Sequence, residues 1–277
     1  MRLLGPTETQ ADRLTAFRAT HPAAEAAGWT YHVAGDGPDT LLLLPGGLRL
    51  GESLFCLITA FEDEYRIIAP TYPAVSTVAE VVTGVEAVLD AEGVSAVHVA
   101  WGTSMGGFML QALLRAIPGR IGHAVLANTT TPEGWGRDIS ARTARLARMR
   151  AMPESDLLAL VRKQAADATS AGPFWTGFLA EAAALDTKAH QVAMAELALD
   201  YCGRQYAPSD LDGWPGRLMI IESADDVGMD AEARRLLRVM YPGAALHRFS
   251  DGGHSPLATR PDECVLVVAA FLRACRA

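Results

Sequence analysis

Short continuous apolar runs recur along the chain, each bounded by Pro, Gly or polar residues: Thr40–Leu44, Tyr65–Ala69, Ala96–Trp101, Ala124–Asn128 and Leu218–Glu222. Continuous runs of this length, without strict alternation, are the mark of strands buried on both faces. A further strand is expected at Ala245–Phe249, and a short helix around Ala11–Ala19. Between the runs the period changes. Val78, Val81, Val82, Val85, Val88 and Leu89 fall on one helical face, with Ser76 placed to cap it, and Met109, Leu110, Leu113 and Leu114 repeat that logic after the next run. Strands alternating with helices of this length predict a mostly parallel sheet with helices on both faces. The alternation stops after Asn128. From Thr130 to about Pro208 the chain is rich in Ala, Leu and Arg with helical periodicity only, and the alternation returns at Leu218. The expected organisation is an α/β core in two parts, residues 1–130 and 210–277, with a helical cap at 131–209 inserted between them.

Composition narrows the class. Half of the 277 residues are apolar and a fifth charged, enough for a packed core and unlike a disordered chain. The net charge of −8 disfavours a phosphate backbone or an anionic membrane surface as partner. Cys56, Cys202, Cys264 and Cys275 form no CxxC pair and no Cys/His zinc spacing, which fits reduced thiols in a cytoplasmic protein. The N-terminal Met1-Arg2-Leu3-Leu4-Gly5-Pro6 turns polar before a signal-type apolar region develops, and Val265–Leu272 is far short of the roughly 20 residues that span a bilayer.

The segment richest in chemistry is Trp101-Gly102-Thr103-Ser104-Met105-Gly106-Gly107. A buried strand runs into G-x-S-x-G and an apolar helix begins at once. A serine on so sharp a turn is crowded by its neighbours; glycine two residues before and two after relieves the crowding and lets the hydroxyl project. The helix start offers unpaired N–H groups to a developing oxyanion. Two other glycine patterns carry no chemistry. Gly46-x4-Gly51-Glu52-Ser53 has phosphate-loop spacing, but Glu52 stands where a lysine must meet phosphate. Gly35-Asp36-Gly37 lacks the third glycine of a dinucleotide fingerprint and is expected to make a hairpin turn.

On the strand–G-x-S-x-G–helix unit the chain resembles the α/β-hydrolase superfamily, and the resemblance extends over nearly everything beyond the N-terminal helix. It implies the order nucleophile, acid, histidine. With Ser104 as nucleophile, the acid should follow a late strand, here Leu218–Glu222 leading into Ser223-Ala224-Asp225-Asp226. Relatives often carry Gly at the strand end and the acid three residues on; with Ser223 in the glycine position the acid is Asp226, and Asp225 is the competitor. The other aspartate is expected to sit in a solvated turn. The histidine implied is His254, in Asp251-Gly252-Gly253-His254 before the last helix, whereas His98 and His123 lie in strand patterns and His21, His32, His190 and His247 lack such a loop. The second oxyanion donor is expected from Pro45-Gly46-Gly47-Leu48, with the N–H of Gly47 joining that of Met105; Pro45 departs from the His common in relatives.

The three residue types suit acyl transfer. Serine is a weak nucleophile at neutral pH, histidine accepts and returns its proton, and the carboxylate fixes the imidazole tautomer. The expected function is therefore a serine hydrolase acting on a carboxylic ester, thioester or lactone through an acyl-enzyme, without cofactor or metal. Its partner is expected to be a small molecule with an apolar portion. A non-hydrolytic enzyme on the same pocket (cyclase, lyase or acyltransferase) and a binding protein that has lost turnover are the competing readings, since one fold hosts many chemistries. Trp135, Trp175 and Phe178 in the inserted segment are the candidate substrate contacts, with Phe174 beside them.

Overall fold

The computed structural model describes residues 1–5 and 7–276; Pro6 of the N-terminal stretch and Ala277 of the last core segment lie outside the described residues. Helix α1 (Gln10–Thr20) opens the chain, started by a capping box in which Thr9 and Asp12 bond each other's backbone N–H groups. A tight hairpin follows, β1 (Ala24–Ala26) and β2 (Trp29–Ala34), then β3 (Thr40–Leu44). Helix α2 (Phe55–Phe61), β4 (Arg66–Thr71), α3 (Val78–Ala91), β5 (Val97–Thr103), α4 (Met105–Ala116) and β6 (Ile121–Ala127) complete the first half. Five helices intervene among the described residues: α5 (Pro132–Gly136), α6 (Ile139–Ala151), α7 (Glu154–Asp167), α8 (Pro173–Ala184) and α9 (Lys188–Cys202). The sheet resumes with β7 (Leu218–Ser223), α10 (Ala231–Met240) and β8 (Ala245–Phe249), and the chain ends in α11 (Pro256–Thr259) and α12 (Pro261–Arg276).

The strands form one eight-stranded sheet in the order β1-β2-β4-β3-β5-β6-β7-β8. It is antiparallel at β1–β2 and β2–β4 and parallel from β4 to β8. This is the α/β-hydrolase architecture, a mostly parallel sheet flanked by helices. Strand residues point alternately to two cores. Leu41, Leu43, Val99 and Trp101 join the side chains of α1, α2 and α12, while Leu42, Leu44, Ala100 and Leu126 join those of α3, α4 and α10. Burial on both faces is why these strands read as unbroken apolar runs. Among the described residues no helix is long and apolar enough to cross a membrane. The four cysteines are unpaired, and burial pushes the thiols of Cys56 and Cys264 up to about 12.

Two local expectations change. The glycines at 35 and 37 do not make a hairpin, because β2 pairs with β4 and not with β3. They permit close approach instead: a Cβ at Gly35 would stand 2.2 Å from the Tyr65 carbonyl oxygen, and one at Gly37 2.2 Å from that of Glu64. The hairpin lies earlier, at Ala27-Gly28, where both residues have positive φ (50° and 78°), as a two-residue hairpin turn with right-handed strand twist requires. Helix α3 is capped by Thr77, one residue after Ser76. Thr77 accepts from the Glu80 N–H, and Glu80 in turn accepts from the backbone of both Ser76 and Thr77.

Candidate active site

Ser104 stands between β5 and α4 with φ 51° and ψ −117°, outside the regions a non-glycine residue prefers. The surrounding chain holds it there. Its N–H donates to the Ala127 carbonyl (2.9 Å), and its own carbonyl accepts from the N–H of Gly107 (3.0 Å) and the Thr129 hydroxyl (2.8 Å). The flanking glycines are steric necessities: a Cβ at Gly102 would stand 2.4 Å from the Gly106 carbonyl oxygen, and one at Gly106 2.2 Å from that of Leu44.

The Ser104 hydroxyl donates to Nε2 of His254 at 2.9 Å, and His254 Nδ1 lies 2.9 and 3.0 Å from the two oxygens of Asp226. A carboxylate only accepts, so it fixes the proton on Nδ1 and leaves Nε2 free to take one from serine. Asp226 also accepts from the N–H groups of Gly228 (2.8 Å) and Met229 (3.0 Å) and from the Asn128 amide (3.0 Å). Burial alone would raise its pKa. Hydrogen bonding and charge from His254, with the Asn128 and Met229 donors, outweigh burial and hold the carboxyl below its ordinary range.

Of the two adjacent aspartates, then, Asp226 meets the imidazole. Asp225 is exposed but not idle in a solvated turn: its Oδ1 accepts from the N–H groups of Gly252 (3.0 Å) and Gly253 (2.9 Å), tying down the loop that carries His254. Two supporting residues escaped the sequence reading. Asn128, buried and at φ 44°, donates to Asp226 and to the Gly253 carbonyl (3.2 Å), joining acid and histidine loops. Its signal was its place at the end of the strand beside β5. Gly228 leaves room for the imidazole, since a Cβ there would stand 2.9 Å from His254 Nδ1.

A cavity of about 610 Å³ opens over Ser104. Gly46, Gly47 and Leu48 line it from the loop after β3, Trp101 and Ala127 from the sheet, Ala171 from the turn before α8, Trp175 and Leu179 from α8 itself, and Leu257 from α11. The β3 loop turns tightly, with Arg49 N–H donating to the Gly46 carbonyl (2.8 Å), and presses against the serine: a Cβ on Gly46 would lie 3.3 Å from that of Ser104. Pro45 immediately precedes that turn. Met105 opens α4, where the backbone N–H has no partner within the helix.

The candidate substrate contacts separate. Trp175 is in the cavity wall. Phe178 is buried behind it, 5.3 Å between ring centroids, and does not line the cavity, because it faces the core one helical turn on. Trp135 belongs to the core on the other face of the sheet, packed on Phe108 (5.2 Å) with the Arg142 guanidinium 3.4 Å over its ring. The period of an amphipathic helix identifies a buried stripe without saying which core receives it, so these two aromatics are packing residues.

Comparison with known proteins places the chain in a family. Residues 41–265 match the profile of the alpha/beta hydrolase family. No curated protein matches the sequence. Among solved structures the chain is similar to a hydrolase from Pseudomonas aeruginosa (TM-score 0.72, 21% identity, 91% of this chain and 98% of that one). It is similar also to an enol-lactonase from Burkholderia xenovorans (0.72, 18%, 91% and 100%) and an esterase from a Rhodococcus species (0.71, 18%, 92% and 98%).

Proposed function

We propose that this chain, which belongs to the alpha/beta hydrolase family, is a serine hydrolase that cleaves a carboxylic ester, thioester or lactone through an acyl-enzyme. The observation that carries the reading is the unbroken line Ser104 Oγ, His254 imidazole, Asp226 carboxylate at the floor of a largely apolar cavity. The esterase and the enol-lactonase among the similar structures are consistent with ester-type chemistry.

In the forward step His254 Nε2 takes the serine proton as Oγ adds to the substrate carbonyl. The N–H groups of Gly47 and Met105 receive the oxyanion. The imidazolium, held by Asp226, returns its proton to the leaving oxygen or sulfur as the tetrahedral adduct collapses. Water then enters: the His254 side chain is 37% exposed, so the base that activates water is reached from solvent. That exposure favours hydrolysis over a cyclase, lyase or acyltransferase, in which water must be kept out. The inserted helices act as a cap, with Trp175 and Leu179 receiving the apolar part of the substrate.

A panel of p-nitrophenyl esters, acyl thioesters and lactones, run with wild type and Ser104→Ala and with products identified by mass, tests the reading. Free acid from at least one class, absent with Ser104→Ala, is the expected result. A folded wild type that turns over none of them, or product lacking the elements of water, would overturn it.

A further inference from the structure

Helix α1 lies outside the segment that matches the family profile, yet one of its side chains reaches the cavity wall. Gln10 Oε1 accepts from the Trp175 indole N–H at 2.6 Å, and Gln10 Nε2 donates to the Ala258 carbonyl at 3.0 Å. Trp175 and Ala258 both line the cavity, the first from α8 and the second from α11, just after the His254 loop. The Gln10 amide thus spans two elements of the wall. The other end of α1 repeats the connection with charge: Arg18 bonds Glu52 (2.9 and 3.0 Å), next to Ser53 and Leu54 in the wall, and Glu181 of α8 (3.0 Å). Those ion pairs are exposed and contribute little by themselves. The Trp175 ring has Phe55, Phe174 and Phe178 as its aromatic neighbours, at 5.9, 5.3 and 5.3 Å, and none of these side chains offers an acceptor to its N–H.

We propose that Gln10 is a specificity-determining positioning residue: by holding the Trp175 indole as a fixed wall, α1 sets which apolar groups Ser104 can process. The inference rests on the ester-hydrolase reading. Anchoring of α1 itself is independent of Gln10, because Arg13, Leu14 and Phe17 are the buried residues of the helix.

The test is Gln10→Met, which keeps the length of the side chain and removes both hydrogen bonds, assayed on p-nitrophenyl acetate and octanoate. Loss of the part-buried bond to the indole should raise KM for octanoate about fivefold, with KM for acetate and both kcat values within twofold of wild type. Gln10→Glu, which keeps the acceptor for Trp175, should recover most of that loss. Amide hydrogen exchange across residues 173–184 is read alongside, without turnover, and should quicken by about tenfold in Gln10→Met as local opening becomes easier. Equal KM changes for both esters, or unchanged exchange, would overturn the proposal. A wild type that hydrolyses no ester sinks the hydrolase reading alone, and the exchange rate then decides whether Gln10 positions Trp175.

Discussion

Replacing Asp226 by Asn keeps shape and removes charge, and the structure says what the amide then meets. Oδ1 of Asp226 accepts from the Gly228 and Met229 N–H groups, so the amide oxygen is held on that side. Its NH₂ group then takes the place of Oδ2, 3.0 Å from His254 Nδ1 and 3.0 Å from the Asn128 amide, which is itself a donor. Turning Asn128 over would let its oxygen accept from that NH₂ group, but would set the same oxygen against the Gly253 carbonyl, to which its amide N–H now donates at 3.2 Å. The imidazole is therefore drawn to the tautomer with its proton on Nε2, aimed at the hydroxyl it should deprotonate. The carboxylate charge that stabilises the imidazolium is lost as well. Two unit charges about 3 Å apart at an effective dielectric of about 20 interact by roughly 5.5 kcal/mol, or about four powers of ten in rate. A fall of roughly 10⁴ is the precedent for this change in a serine protease. Stopped-flow acylation with p-nitrophenyl acetate is the assay, with circular dichroism to verify the fold. A folded Asp226→Asn protein that acylates within tenfold of wild type would refute the reasoning.

The neighbouring aspartate should separate by substitution: Asp225→Asn retains an oxygen for the Gly252 and Gly253 N–H groups and should cost less than threefold in kcat, while Asp225→Ala, which frees the His254 loop, should cost about tenfold at the roughly 1 kcal/mol of a lost hydrogen bond or more. Trp175→Ala should raise KM for long apolar esters, whereas Phe178→Ala should act on stability, lowering it by about 3–5 kcal/mol in urea titration as a buried aromatic is truncated. Glu8 is held at about 2, against an ordinary 4.5, chiefly by its hydrogen bond to Arg13. Its contribution is therefore complete above pH 4.5 and lost as the pH falls through 2. Glu8→Gln should cost about 1 kcal/mol at pH 7 after allowance for solvent screening, and urea midpoints should show the gap from wild type reduced by more than half at pH 3.

How much of this was legible in the sequence depended on whether a feature is local. The sharp strand-to-helix turn at Ser104 was, because a strand, a serine and two glycines within seven residues leave the backbone one such turn to make. The late aspartate and the G-G-H loop followed from chain order by resemblance. The β1–β2 hairpin was hidden, since Ala27-Gly28 lacks the Asn or Asp that usually marks such a turn and Ala24–Ala26 carries no strand-forming side chain. Asn128 and Gly228 were hidden for another reason: their contacts are made across the site, on Asp226 and His254, and the one local trace is the place of Asn128 at the end of the strand beside β5. The same holds for the aromatics of the inserted helices. Trp135, Trp175 and Phe178 look alike in sequence, and only tertiary packing sends one to the cavity and two to separate cores.

The central claim is that Ser104 is a nucleophile activated by His254. Intact-mass spectrometry after incubation with a fluorophosphonate probes it most directly, since the reagent needs an activated serine and no particular substrate. The account predicts one adduct per chain, located on Ser104 by peptide mapping, absent in Ser104→Ala and formed at least a hundredfold more slowly in His254→Ala, within the roughly 10²–10⁴ expected of a general base. A folded wild type that gains no mass, or an adduct that persists in Ser104→Ala, would contradict it.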